Sequence, residues 1–363
     1  MEKLNLVVLP FALAFIISVI VTPLTIFVFR KLGFVIDPAK MPHPAYIHKR
    51  PVPKGGGIPI FLAVLITALI FLKADKHLTG ILVAMGLTLV IGLIDDVRGM
   101  SPRARLFFNF AAAGIVVAAG IGIAYVTNPF GPGVIDLSHP RLSFYLFGRL
   151  HEIWLWPDLF ALFWIPILMN AINWSSGVDG QASGMIAIAA FVIGLLSFSY
   201  SADIAQWPAA ILAFGLSGAF VGLTIFHFYP QKIMPGYSAT TLAGLLLAVL
   251  SILSTTKVGT AMMVLAIPLV DAGYVVGRRI LSGKSPLSGD RGHLHHKLLE
   301  LGWGRRRIAI FYWVVTALFG FLALNLNAQM KIFAIVGLAV ALAGLLLWMY
   351  FGRSAKQSGQ GNG

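Results

Sequence analysis

Two adjacent carboxylates, Asp95-Asp96, end a hydrophobic run in a chain of 363 residues that has only 13 Asp and Glu. A third acid, Asp179, lies in the polar turn Asn173-Trp174-Ser175-Ser176-Gly177-Val178-Asp179-Gly180. Far downstream, Gly292-His293-Leu294-His295-His296 follows Asp290-Arg291 and precedes Lys297. Neighbouring carboxylates on a helix point about 100° apart, so they can serve one metal ion or two separate partners. Mg²⁺ prefers oxygen ligands and is usually held by one or two carboxylates plus substrate phosphates. The bland alternative is a pair of solvated helix-end acids balanced by Arg98. The cost of charge at a membrane edge weighs against it. Three imidazoles beside Arg291 and Lys297 form a compact set of donors for phosphate oxygens. Zinc is the competing reading, disfavoured because cysteine is absent and the i, i+2, i+3 histidine spacing is not a usual structural-zinc pattern.

Weaker signals accompany these. Lys49, Arg50 and Lys54 precede Gly55-Gly56-Gly57. Consecutive glycines let backbone N–H groups approach an anion closely, although a flexible loop over lipid headgroups explains the segment equally well. Asn170 and Asn173 flank the Asp179 turn and could point into the same cavity. The segment from Phe226 to Ser238 carries aromatics that could stack a base or simply lie at a membrane interface; its Tyr237 could donate to phosphate. Asp271, within an apolar run, reads more readily as a helix–helix bond than as a catalytic group.

These residues need elements to hold them, and the composition says which. Hydrophobic residues make up 58% of the chain and charged residues 11%, whereas a soluble domain carries about 25% charged residues. The chain reads as an all-α, polytopic membrane protein. Apolar stretches of near-spanning length occur at about 4–29, 56–73, 78–94, 105–126, 158–172, 184–200, 206–226, 238–254, 259–280, 307–326 and 331–351, predicting about eleven spans. The first is too long for a signal peptide and is followed, not preceded, by its positive charges. Residues 1–353 form one membrane domain, and the Gly/Ser/Gln-rich stretch 354–363 is expected to be a disordered tail. The outer loop 127–157 is expected to anchor spans through its aromatics or to form a short hairpin.

If the loop after the first span is cytoplasmic, 20 of the 27 Lys and Arg fall on that side, as the positive-inside rule expects. The N-terminus is then outside and the C-terminus inside. Asp96, Asp179 and His293 share the cytoplasmic face, which predicts an active-site cleft there. The net charge of +14 suits topology and anionic lipid. Nucleic-acid binding is not expected, because the basic residues are spread over short loops.

As an ordered set, the segments resemble the polyprenyl-phosphate N-acetylhexosamine-1-phosphate transferases of glycosyltransferase family 4. The likeness covers about residues 15–310. It is carried by Lys31-Leu32-Gly33 with Asp37-Pro38, the run Pro51 to Gly57, Asp95-Asp96, the Asn170–Gly180 turn, Pro268-Leu269-Val270-Asp271 and Gly289 to His296. The histidine segment is closer to members using UDP-GlcNAc than to the phospho-MurNAc-pentapeptide translocase. The resemblance implies that a prenyl (undecaprenyl) phosphate attacks a UDP-sugar, most simply UDP-GlcNAc. UMP is released, and cell-envelope glycan synthesis begins at the plasma (inner) membrane. It implies a Mg²⁺ cofactor, with Mn²⁺ as the alternative ion, and suggests a homodimer. Asp95, Asp96, Asp179 and His293 would be catalytic, with Asp96 and Asp179 at the metal. Asn173, His295, His296, Lys49, Arg50, Lys54, Arg291 and Tyr237 would bind substrate.

Three positions depart from the family pattern. Ser176 and Tyr237 stand where the family usually has Asp, the latter in a Gly-Asp-Ser/Thr-Gly-Ser stretch here reading Gly236-Tyr237-Ser238-Ala239-Thr240. His227 replaces a usual Asn. A covalent mechanism through a carboxylate at position 237 is therefore excluded. A rebuilt site, a changed donor sugar and an inactive homologue compete as explanations. A lipid-linked-sugar binding or transport protein is the reading from another class.

Overall fold

The computed structural model describes residues 2–37, 50–128, 131, 133–146, 149–200, 202, 206–253, 257–286 and 292–359. Lys49 and Arg291 lie outside them. The fold is a bundle of long apolar helices: α1 (Glu2–Lys31), α2 (Gly57–Phe71), α3 (Lys76–Arg98), α4 (Pro102–Ala118), α5 (Leu155–Trp174), α6 (Gln181–Ser199), α7 (Trp207–His227), α8 (Gly236–Leu253), α9 (Lys257–Val264), α10 (Ala266–Leu281), α11 (Leu294–Glu300), α12 (Arg305–Asn325) and α13 (Ala328–Gly359). The described residues are mostly helical, as the all-α class expects, with six short strands besides. β1 (Val35–Ile36) pairs with β2 (Val52–Pro53), β3 (Tyr125–Thr127) with β4 (Val134–Asp136), and β5 (Arg141–Leu146) with β6 (Arg149–Trp154), all antiparallel. The last two pairs occupy the connection between α4 and α5, so the expected hairpin is doubled.

α8 is the axis of the bundle. Every residue from Tyr237 to Ile252 is buried, against α3 and α5 among others. α1 packs on α7 and α2, and α6 lies between α7 and α12. The outward faces of α1 and α12 expose Ile20, Leu24, Phe27, Val314, Leu318 and Phe321. In water such faces would be a liability; in hydrocarbon they are the natural boundary.

Among the described residues, seven helices are long and apolar enough to cross a membrane, or eight if a bent pair counts as one span. Eleven spans are not supported, and the reasons are local. The predicted run 105–126 is helical only to Ala118, after which Gly120 takes φ +86° and the chain enters β3. The run 259–280 is broken at Leu265, where Val258–Val264 and Ala266–Leu281 meet at 82°. Pro268 lacks the N–H that would bond back to Val264, which favours the break there. α2 and the apolar part of α13 are shorter apolar helices. The two runs that look shortest in sequence, 158–172 and 184–200, belong instead to the spanning helices α5 and α6. α13 continues to Gly359, past the Ser354 at which a disordered tail was expected.

Candidate active site

The sequence motifs meet at one end of the bundle, around the N-terminus of α8. α3 ends there with its two acids. Asp95 is buried; its Oδ1 accepts from Arg105 Nε at 2.6 Å and from the Met100 amide at 2.9 Å, tying the α3–α4 turn to the start of α4. Asp96 faces α8. Its Oδ1 accepts from the Tyr237 amide at 2.7 Å; its Oδ2 accepts from the Ser238 amide at 3.2 Å and Ser238 Oγ at 2.6 Å. A helix N-terminus presents unpaired N–H groups and partial positive charge, and Asp96 satisfies both. Gly236, at φ +69°, makes the approach possible, because a Cβ there would strike the Asp96 carboxylate. The pair thus acts first as a clamp between α3, α4 and α8.

Tyr237 completes the clamp from the other side. Its hydroxyl donates to Asn109 Oδ1 at 2.9 Å, and the Arg105 guanidinium lies 5.2 Å from its ring centre. The phenol, 5% exposed, is turned into α4 rather than toward a ligand. Ser176 donates its hydroxyl to the Asn173 carbonyl at 2.6 Å and closes the turn. Both departures from the family pattern are absorbed into packing.

The glycine run is likewise committed. The Gly56 amide donates to the Met234 carbonyl at 3.3 Å and the Gly57 amide to Ser238 Oγ at 3.2 Å, so these two amides are not open to an anion. Lys54 pairs in register with Met234, and its charge lies close to Asp96. Arg50 is exposed at the edge of this region.

Across α8 the turn between α5 and α6 is built differently. Asn173 accepts from Thr240 Oγ1 at 2.9 Å. Asp179 is 1% exposed; its Oδ2 lies 3.4 Å from the Gln231 amide and 3.6 Å from Arg305 at the start of α12. Its Oδ1 is buried and has no hydrogen-bond partner. Ser175 Oγ and His295 Nδ1 are also buried and unpartnered. A buried anionic oxygen without a donor is costly, so this region is chemically incomplete.

The histidines sit against that turn. His295 lies directly over Gly177, where a Cβ would overlap its Nε2. His293 and His295 are parallel to within 6° at 5.8 Å, and His296 lies 4.2 Å from His295. Burial holds His295 well below the ordinary histidine range, and His296 and His293 add to this; the ring is neutral at pH 7. His293 pairs through Nδ1 with Asp271 Oδ2 at 2.8 Å, and its ring lies 6.2 Å from that of Trp174. His227 is buried on Ser183 Oγ at 2.9 Å.

Among the described residues no group of three or more His, Asp or Glu could hold a metal ion. Mg²⁺ does not need one, since substrate phosphates and water complete its shell. Both Asp96 oxygens accept hydrogen bonds, whereas Asp179 Oδ1 is an unpaired anionic acceptor. Asp179 Oδ1 therefore fits as a protein ligand, and Asp96 Oδ1, which accepts only one hydrogen bond, keeps a lone pair for an ion as well. Sequence reasoning missed Arg105, Ser238, Trp174 and Arg305 as parts of this region. The run Arg305-Arg306-Arg307 was the available signal, read there only as topology.

Known proteins resemble the chain over much of its length. The family model described as Glycosyl transferase family 4 matches residues 78–255, the stretch that holds both acid motifs and α8. A decaprenyl-phosphate N-acetylglucosaminephosphotransferase of Mycolicibacterium smegmatis is 28% identical over 327 residues, covering 80% of this chain and 76% of that protein. A probable undecaprenyl-phosphate N-acetylglucosaminyl 1-phosphate transferase of Bacillus subtilis is 25% identical and covers 90% and 87%. An undecaprenyl-phosphate alpha-N-acetylglucosaminyl 1-phosphate transferase of Escherichia coli K12 is 29% identical and covers 82% and 78%. With the motifs gathered at one end of a membrane bundle, and relatives aligning along most of its length, the chain is similar to glycosyl transferase family 4.

Proposed function

We infer that this protein transfers N-acetylglucosamine-1-phosphate from a UDP-sugar to a polyprenyl phosphate and releases UMP. The relatives' named activities support the reaction class. The observation that carries it to this chain is Asp179, whose buried, unpaired Oδ1 lies beside Arg305 and a histidine-lined turn. In the reaction a phosphate oxygen of the lipid bonds to the β-phosphorus of the UDP-sugar. The bond from that phosphorus to the bridging oxygen breaks, and UMP leaves with the bridging oxygen. The sugar stays on the β-phosphate, giving a prenyl-diphospho-sugar. The second pKa of a phosphate monoester is about 6, so the lipid is already largely dianionic at neutral pH and needs little base catalysis.

The difficulty is bringing one anion to another, and the site's charges address it. Arg305 and Lys54 supply cationic charge near Asp179 and Asp96. His293 and His296 offer donors for phosphate oxygens. His295 is neutral and shapes the floor of the turn. Mg²⁺, or Mn²⁺ in its place, would be held by Asp179 Oδ1 with diphosphate oxygens and water, and would supply neutralisation of the diphosphate charge. Arg50, and Lys49 and Arg291 beyond the described residues, would extend the basic rim. In this reading the site faces the cytoplasm of a plasma (inner) membrane, with the N-terminus outside and the C-terminus inside, and the enzyme is a homodimer.

The deciding assay is UMP release by purified protein in detergent with undecaprenyl phosphate and UDP-GlcNAc, with and without Mg²⁺. Release that depends on both lipid and ion is expected. Silence across a panel of UDP-sugars would sink the assignment and favour a binding or transport protein.

A further inference from the structure

Asp271 is buried in α10 at 2% exposure, and the mechanism above leaves it unused. Its two oxygens have separate tasks. Oδ1 accepts from the Leu294 amide at 2.8 Å, the first N–H of α11. Oδ2 meets His293 Nδ1 at 2.8 Å. A carboxylate oxygen only accepts, so Nδ1 must carry the proton. The ring's other nitrogen, Nε2, lies at the opposite edge, and no hydrogen bond from the described residues reaches it. Because Oδ1 also anchors the next residue's backbone, both the ring and the peptide that carries it are fixed by one group.

We propose that Asp271 is a positioning residue that fixes His293 as the Nδ1–H tautomer and so leaves Nε2 as the atom that faces phosphate and handles a proton. A histidine backed by a buried carboxylate is held in orientation and tautomer. Nε2 can then take the remaining proton of a monoanionic lipid phosphate, and the charged ring returns it from Nε2 to a phosphate oxygen of departing UMP. Simple helix–helix bonding would need only one of the two contacts and would not select the nitrogen. The assignment of Nε2 to phosphate rests on the transfer reading above; the tautomer assignment does not.

The test is Asp271→Asn, alone and combined with His293→Gln. An amide keeps the volume and still accepts from the Leu294 N–H, but its NH₂ presents a donor to Nδ1 and forces the proton to Nε2. The kcat for UMP release should fall 10-fold or more with KM changed less than about 3-fold. The double variant should be no slower than His293→Gln alone. Ring ¹⁵N shifts of His293, assigned by their loss in His293→Gln, should report Nδ1–H in the wild type and Nε2–H in Asp271→Asn. Wild-type kcat in Asp271→Asn, losses that multiply in the double variant, or an unchanged tautomer would each overturn the proposal. If Asp271→Asn does not fold, the wild-type ring shifts still decide the tautomer, and Asp271→Glu, which keeps a carboxylate acceptor, should retain Nδ1–H; Nε2–H in either protein overturns the proposal. If the wild type releases no UMP, the transfer reading fails, and the nitrogen shifts still decide what Asp271 does.

Discussion

The two sides of α8 handle buried charge in opposite ways. On the α3 side, Asp96 accepts three hydrogen bonds and Asp95 two, and the aromatic ring beside them is bonded and stacked. On the α5–α6 side, Asp179 keeps a buried oxygen without a donor, and Ser175 and His295 have unpartnered atoms next to it in sequence or space. The contrast is one of charge, since Asn109 Nδ2 on the α3 side is also buried without a partner; a buried anionic oxygen left without a donor is the costlier defect. The acid pair that stands out most in the sequence is thus tied into the fold, and the single acid in the turn keeps an acceptor open.

That contrast can be broken by substitution. Asp179→Asn keeps the side-chain shape and should lower UMP release about 10²- to 10³-fold, the usual loss when one electrostatic stabiliser is removed, with little change in thermal midpoint. Near-normal turnover would erase the distinction. Asp96→Ala should do the reverse and lose stability first. Three hydrogen bonds at the α8 N-terminus disappear, at a cost on the order of 3 kcal/mol, read as a lower thermal midpoint in detergent. An unchanged midpoint with lost activity would move Asp96 from frame to chemistry. Gly177→Ala should push His295 off the turn and cost about 1–3 kcal/mol as overpacking; the check is a paired measurement of midpoint and UMP release, both reduced. Tyr237→Phe should be mildest, about 1 kcal/mol for the bond to Asn109, with turnover retained. A large loss of turnover would give the phenol a part in binding that its orientation does not suggest.

Much of the site was legible because charge in an apolar chain has few reasons to exist. Asp96, Asp179 and His293 could be assigned to one end of the bundle from loop parity and the Lys/Arg bias alone, and their elements do meet there. What the sequence hid is pairing. Nothing local distinguishes Asp95, held by Arg105, from Asp96, held by α8, since the partners lie on different elements. Arg305 looks like any cytoplasmic arginine until α12 brings it to Asp179. The span count failed for a related reason. Hydropathy sums over a window and does not see a break at Leu265 or a helix that stops at Ala118 inside an apolar run.

The seating of His295 on Gly177 also bears on how the protein is made. The turn belongs to the middle of the chain and enters the membrane early in synthesis; the histidine belongs to its last third. Chains emerge N-terminus first, so the earlier helices insert and pack while the site still lacks one wall. A ribosome-bound or truncated chain ending before α11 would hold the frame around α8 complete and be unable to close over a substrate. Activity therefore arrives in a single late step, and a partly made protein in the membrane is inert.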